Sequence, residues 1–289
     1  MIEVRTDSVI REAGGVIFKQ HRDDGATRAR REFETLTMLR EAMPGTYTVP
    51  RAIQFDAANS AVVMERASGT PLDETIAATK RESDAVAHLT EPLRRAGEWL
   101  RAMQTATMWS AATPVAAVDP ERQLALPHST PRDILSAQIV KAIHDAETID
   151  ADAEVIARLR ELQVRVAPRA TVACGHHGDY WPGNVFLDET RVTVIDFEGY
   201  RHGLPLEDVA YFLIELELLL PRHARYLPAL RVAFLEGYGA VEDADALTLF
   251  TLTKTLHLMA RNPGAQHSLL IRLWMRRTLR KIVQRCLPR

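Results

Sequence analysis

Hydrophobic positions follow two rhythms along this chain, and the change comes at about residues 66–69. Before it, apolar residues fall in short runs: Gly15-Val16-Ile17-Phe18, ending at Lys19, and Val62-Val63-Met64-Glu65, leading into Arg66-Ala67-Ser68-Gly69. Short apolar runs bounded by glycine and polar residues read as strands. Gly14-Gly15 reads as the turn between two of them. Between the runs, Ala29 to Met43 keeps a helical period, with Glu32, Leu36, Leu39 and Met43 at offsets of 0, 4, 7 and 11 on one face. Beyond Gly69 the helical period dominates. Asp84 to Thr107 is one such pattern, interrupted near Glu91-Pro92, and Pro131 to His144 and Ala151 to Val166 are two more. Pro205 opens a helix whose apolar face is Val209, Phe212, Leu213 and Leu216. Three stretches follow, at about Arg222 to Tyr238, Asp243 to Asn262 and Gln266 to Cys286. Thr107 to Pro131, with its prolines and alanines, reads as a long loop, and such loops are often functional.

One hairpin interrupts the helical part. Val185-Phe186-Leu187 and Arg191 to Ile195 are strand-like, and Asp188-Glu189-Thr190 between them carries turn chemistry. Asn184 sits just before the first strand and Asp196 just after the second, so antiparallel pairing brings them side by side. Upstream, Gly178, Pro182 and Gly183 rule out regular structure around Asp179. An Asp, an Asn five residues later and an Asp twelve residues after that match the needs of phosphoryl transfer from a magnesium nucleotide. One acid orients a hydroxyl, while an amide and a second acid supply hard oxygens to Mg²⁺. Taken singly, these residues would be ordinary turn formers and caps.

His177-x-Asp179-x-x-x-x-Asn184 with the following Asp196 resembles the catalytic and metal motifs of the aminoglycoside phosphotransferase and choline kinase-like family. Gly203-Leu204-Pro205-Leu206-Glu207-Asp208-Val209-Ala210 is similar to that family's next element, and the resemblance runs from about Val16 to Phe212. It implies an α+β, bilobal, protein-kinase-like fold. A small N-terminal lobe, antiparallel sheet plus one helix, would occupy residues 1–66, and a larger, mostly helical lobe residues 67–289. It also implies Asp179 as catalytic base, Asn184 and Asp196 as metal ligands, and ATP or GTP with Mg²⁺ as cofactors. Asp208 would brace the catalytic loop, and His177 would be structural rather than a proton carrier.

A kinase-like site needs a cation for the phosphates, and Lys19 is the only lysine before Lys80. Glu32 heads an otherwise apolar stripe, so it points inward and wants a partner. A Lys19–Glu32 ion pair satisfies both, as a strand lysine and helix glutamate do in kinases. Glu34 is the less favoured alternative, on a face shared with Arg31 and Glu41. By resemblance, Val62 to Gly69 is the last strand of the small lobe and the hinge. Main-chain groups near Glu65 and Ala67 would hold the adenine, with Met64 facing the pocket.

The chain also departs from the family pattern. No G-x-G-x-x-G occurs among the eighteen residues before Lys19, so any cover for the phosphates lies elsewhere, near Thr6-Asp7-Ser8. Glu198, not glycine, stands two residues after Asp196, and the helix ending at Gln104 lacks a histidine that many relatives carry.

With 289 residues, 46% of them hydrophobic, the chain can bury a large core. A formal net charge of −2 argues against an obligatory nucleic-acid partner. Two cysteines, Cys174 and Cys286, cannot make a disulfide framework, and Cys174 reads as a small buried hydrophobe. With no apolar signal core at the start and no run long enough to span a bilayer, the expected location is the cytoplasm.

The acceptor would be a small molecule with a hydroxyl, a sugar, amino alcohol or aminoglycoside-like compound. Candidate lining residues Tyr180, Trp181, Glu198, Tyr200, Arg201 and His202 carry conflicting charges. A catalytically silent kinase-fold protein that binds a nucleotide or a partner is the alternative. A protein-substrate kinase is disfavoured because no recognisable activation segment lies between Asp196 and Asp208. Finally, Arg272, Arg276, Arg277, Arg280, Lys281, Arg285 and Arg289 accompany Leu269, Leu270, Leu273, Trp274, Leu279 and Ile282. Such a helix either packs its apolar side on the lobe and solvates its arginines, the favoured reading, or lies on an anionic membrane surface.

Overall fold

The computed structural model describes residues 2–4, 8–22, 25–43, 45–79, 85–110, 130–220, 225–261 and 269–288. In chain order the strands are β1 (Ile2–Val4), β2 (Ser8–Ala13), β3 (Val16–His21), β4 (Tyr47–Thr48), β5 (Ala52–Asp56), β6 (Ala61–Glu65) and β7 (Thr70–Pro71). They continue with β8 (Trp109–Ser110), β9 (Val172–His176), β10 (Val185–Leu187), β11 (Val192–Val194) and β12 (Arg201–Gly203). The helices are α1 (Gly25–Ala42), α2 (Leu72–Ala78), α3 (Ala85–Ala106), α4 (Pro131–Thr148) and α5 (Ala153–Val166). They continue with α6 (Leu206–Leu219), α7 (Leu227–Tyr238), α8 (Ala244–Arg261) and α9 (Leu269–Cys286). These elements form two compact units interleaved in sequence. The first takes residues 1–107, 177–201 and 228–239, and the second takes 108–176, 202–227 and 240–289.

In the first unit a five-stranded sheet runs in the order β1-β2-β3-β6-β5, every neighbour antiparallel. Gly14 and Gly15 form a two-residue turn between β2 and β3, with φ of +59° and +79°. A tight hairpin needs that left-handed backbone at both positions, and glycine adopts it without steric cost. β3 does not stop at Lys19 but continues to His21. α1 lies against β3, β5 and β6 and buries Ala29, Glu32, Leu36 and Leu39.

A second sheet of this unit, in the order β4-β11-β10-β7, contains the expected hairpin with Val185 opposite Val194. α3 runs unbroken through Pro92, where the sequence suggested an interruption. Leu89, Leu93 and Ala96 are fully buried around it, and that packing outweighs the one backbone bond that proline removes. α3 and α7 cross at glycines. A Cβ on Gly97 would stand 2.1 Å from the Phe234 carbonyl oxygen, and one on Gly237 would stand 1.8 Å from that of Arg94.

The second unit joins the three-stranded sheet β12-β9-β8 to the remaining helices. Leu135, Ile139, Leu159, Leu249 and Phe250 belong to its main core, built where α4, α5 and α8 meet. Thr130 and Asp133 form a reciprocal capping box at the start of α4, with Pro131 in the first turn. The apolar face expected for α6 is buried: Val209, Phe212, Leu213 and Leu216 are at most 1% exposed. Cys174 and Cys286 are free and buried. Among the described residues, no helix is long and apolar enough to cross a membrane. The chain thus has the expected mixed α+β composition, a small antiparallel sheet with one helix and a largely helical remainder. The phosphate cover suggested at Thr6-Asp7 lies outside the described residues, while Ser8 is buried at the start of β2. The middle of the long loop, residues 111–129, also lies outside them.

Candidate active site

Lys19 and Glu32 meet in the first unit. Lys19 Nζ lies 3.0 Å from both carboxylate oxygens of Glu32, 2.7 Å from Asp196 Oδ1 and 3.6 Å from Glu198 Oε2. Glu32 is fully buried and Lys19 nearly so, a position that charges tolerate only when paired. Burial alone would push the Lys19 ammonium down, but Glu32, Asp196 and Glu198 together hold it above its ordinary value. It is therefore a permanent cation. The Phe197 amide also donates to Glu32 Oε1 at 3.3 Å, so the same glutamate anchors the backbone directly after Asp196.

His21 completes this cluster, and the sequence reading missed it. Its Nε2 lies 2.9 Å from Glu32 Oε2 and its Nδ1 lies 3.2 Å from Glu198 Oε2. Burial pulls the ring's pKa down, but the hydrogen bonds to Glu198 and Glu32 outweigh it and raise it above 6.5. Glu198 is lowered in turn, first by the bond from His21, against its own burial, with the Lys19 charge helping. A signal did exist. Extending β3 by its period of two puts residue 21 on the same face as Lys19, but the apolar run that marked the strand ends before it.

The catalytic-loop candidate follows β9. His177 is fully buried, and both ring nitrogens are committed to backbone: Nε2 lies 2.9 Å from the Ile195 carbonyl, and Nδ1 is 3.2 Å from the Asp179 amide. A carbonyl can only accept and an amide only donate, so the proton sits on Nε2 and the ring is a structural strut. Gly178 has φ +88°, and a Cβ there would stand 2.5 Å from the Gly199 carbonyl oxygen. Only glycine lets the two backbone segments approach so closely.

Asn184 Nδ2 donates to the Asp179 carbonyl at 2.9 Å and lies 3.4 Å from Asp179 Oδ2. The Ile195 amide donates to the Asn184 carbonyl at 3.1 Å, extending the hairpin by one pair. Asp196 comes next, with φ +72°, a left-handed backbone that is uncommon outside glycine and that aspartate tolerates better than most residues. The hairpin therefore brings Asn184 and the start of the Asp196 segment side by side, as the sequence pattern required.

Beneath the loop lies an aromatic cluster. Tyr180 stacks on Trp99 at 5.6 Å and donates its hydroxyl to the Ala96 carbonyl at 2.7 Å. Phe197 lies 4.5 Å from the His177 ring. Tyr180 is thus a core residue and not part of an acceptor surface. Tyr200 is buried as well, Arg201 is exposed, and His202 is half-buried, its pKa lowered by that burial. In the second unit, Asp208 Oδ1 lies 3.1 Å from Nε2 of His176, the residue that ends β9 and feeds the loop. Both side chains are fully buried.

At the hinge candidate, the Met64 side chain is buried opposite Ile17 and Ala52. The Glu65 amide donates to the Arg51 carbonyl at 3.0 Å, and its side chain pairs with Arg51 at 2.9 Å. Ala67 follows Arg66, whose amide bonds the Gly15 carbonyl, and precedes Gly69, where a Cβ would stand 2.2 Å from the Leu187 carbonyl oxygen.

The donor set suits magnesium. The Asn184 amide nitrogen is committed to Asp179, so Oδ1 is the atom that could face a metal, and the Asp196 carboxylate would be the second oxygen donor. Among the described residues no group of three or more His, Cys, Asp or Glu makes a metal cage. Mg²⁺ needs none, because it takes one or two protein oxygens and completes its shell with phosphate and water.

A model of the family described as "Phosphotransferase enzyme family" matches residues 4–250. Among curated proteins, no sequence matches. Several solved structures are similar. A choline/ethanolamine kinase family protein from Mesorhizobium loti is 15% identical, with a TM-score of 0.62 over 99% of this chain and 86% of that one. The aminoglycoside phosphotransferase APH(3'')-Id from Streptomyces rimosus, in complex with ADP and streptomycin, is 16% identical, with a TM-score of 0.60 over 88% and 92%. The macrolide 2'-phosphotransferase MphH from Brachybacterium faecium is 15% identical, with a TM-score of 0.59 over 96% and 90%. At these identities the likeness is one of fold.

Proposed function

Because the chain belongs to the phosphotransferase enzyme family, we propose that it transfers the γ-phosphoryl group of ATP or GTP to a hydroxyl of a small acceptor. The acceptor class is a sugar, an amino alcohol or an aminoglycoside-like compound, which fits a fold shared with proteins named for choline or ethanolamine, aminoglycosides and macrolides. Residues 1–66 would bind the nucleotide, with Met64 beside the base and main-chain groups of Glu65 and Ala67 at its edge.

In this reading Asp179 orients the acceptor hydroxyl and takes its proton as the oxygen attacks the γ-phosphorus. The bond from phosphorus to the β-bridging oxygen breaks, and the nucleoside diphosphate leaves. Lys19 keeps Glu32 and exchanges its contact with Asp196 for phosphate oxygens. Asn184 Oδ1 and Asp196 would hold Mg²⁺, which supplies charge neutralisation on the phosphates. Rate then comes from positioning and fixed charge.

The observation that carries the proposal is the convergence of Lys19 on Glu32 and Asp196, with Asn184 bonded to Asp179 at the same open end of the hairpin that Asp196 follows. A nucleotide-binding module has no need of Asp179 or of its bond to Asn184. Nucleotide consumption with Mg²⁺ across sugars, amino alcohols and aminoglycosides tests it, with Asp179→Ala as control. Turnover confined to one acceptor class and lost in the variant supports the reading. No turnover with any acceptor and no magnesium-dependent nucleotide binding would leave a kinase-fold binding protein.

A further inference from the structure

The last helix, α9, carries six cations and no acid, in a chain whose net charge is −2. The rest of the chain is therefore net acidic, with 30 Lys and Arg against 38 Asp and Glu. α9 also lies beyond the matched family region, which ends at residue 250. Its inner face buries Thr278, Leu279, Ile282 and Cys286, and Leu279 and Ile282 pack with Ile214 and Leu218 of α6.

The opposite face is not simply polar. Leu269, Leu270 and Leu273 are 61%, 78% and 54% exposed. Arg276 and Arg280 continue the row begun by Leu269 and Leu273, at offsets of 0, 4, 7 and 11, and Arg277 and Lys281 continue the row begun by Leu270. Arg276, Arg277, Arg280 and Lys281 are all exposed. Arg285 differs, being tied to Glu217 at 2.6 Å. Arg277, Arg280 and Lys281 make no ion pair with the described residues.

We propose that this outward face of α9 docks on an anionic lipid bilayer. The three leucines would enter the headgroup region and the cations of the next two turns would meet lipid phosphates. Two features favour a bilayer over an acidic protein segment. The leucines and cations share one exposed face of a single helix, as lying along a bilayer requires, and exposed leucines add nothing to capture of a purely acidic chain. Each cation near an anionic leaflet strengthens partitioning about fivefold. The proposal does not depend on phosphotransfer.

Cosedimentation of the full chain with vesicles tests it, comparing pure phosphatidylcholine with an equal mixture of phosphatidylcholine and phosphatidylglycerol. We expect binding to the mixed vesicles only, weakened by salt. Arg277→Glu with Lys281→Glu should lower it at least tenfold, and Leu270→Ser with Leu273→Ser several-fold, each with an unchanged melting temperature. Equal binding to both vesicles, or no binding, overturns the proposal. So does binding to mixed vesicles that ignores the leucine changes while soluble polyglutamate competes fully, because that pattern marks an acidic protein partner.

Discussion

His21 Nε2 stands 2.9 Å from Glu32 Oε2, so the carboxylate that meets Lys19 is gripped from two positions on one strand. Without the histidine, Glu32 Oε2 would keep only Lys19, while Oε1 is shared by Lys19 and the Phe197 amide. The histidine also reaches Glu198 at 3.2 Å, which ties β3 to the segment following Asp196. This arrangement has a pH signature. The His21 pKa is raised above 6.5 in the folded chain, so the protonated ring contributes stability that is fully present below the unfolded value and lost as pH rises through the folded one. Urea unfolding of wild type and His21→Gln should show the widest stability gap near pH 6 and a narrower one near pH 9. A gap that widens with pH would contradict it.

Removing Lys19 should be costlier than removing the whole pair. Lys19→Met leaves Glu32 buried without its cation beside Asp196 and Glu198, and stripping one partner from a buried pair costs about 3–5 kcal/mol. Lys19→Met with Glu32→Leu removes the stranded charge, so it should recover part of that loss in denaturant unfolding. A double variant less stable than Lys19→Met would count against the pairing.

The crossing of α3 and α7 gives a prediction with a definite sign. Gly237→Ala favours an isolated helix by about 1 kcal/mol. Here the new Cβ would stand 1.8 Å from the Arg94 carbonyl oxygen, so the helices must separate. The net effect should be destabilising by about 1–3 kcal/mol, the usual cost of overpacking. A higher melting temperature for the variant would show that the two helices do not approach so closely.

What was legible in the sequence depended on range. The hairpin from Val185 to Val194 announced itself because its strands, turn residues and flanking Asn184 and Asp196 lie within a dozen positions. Lys19 and Glu32 were found because a single charge heading an apolar face demands a partner. Asp196 lies 177 residues from Lys19, and no local pattern brings it to that ammonium. Tyr180 looked like a ligand-facing aromatic because its partners, Trp99 and the Ala96 carbonyl, belong to a distant helix. Pro92 was given its usual local meaning, and burial of Leu89 and Leu93 overrode it. Residues 177–201 and 228–239 join the N-terminal part for the same reason, through contacts that only folding creates.

The proposed reaction gives Asp179 the acceptor hydroxyl and gives the neighbouring residues the magnesium nucleotide. ³¹P NMR of ATP, Mg²⁺ and an acceptor mixture tests it most directly, for wild type and Asp179→Asn. A new phosphomonoester resonance is expected with wild type. In the variant its formation should be slowed about 10²–10⁴-fold, with magnesium-nucleotide affinity retained. Transfer at the wild-type rate by Asp179→Asn would contradict it.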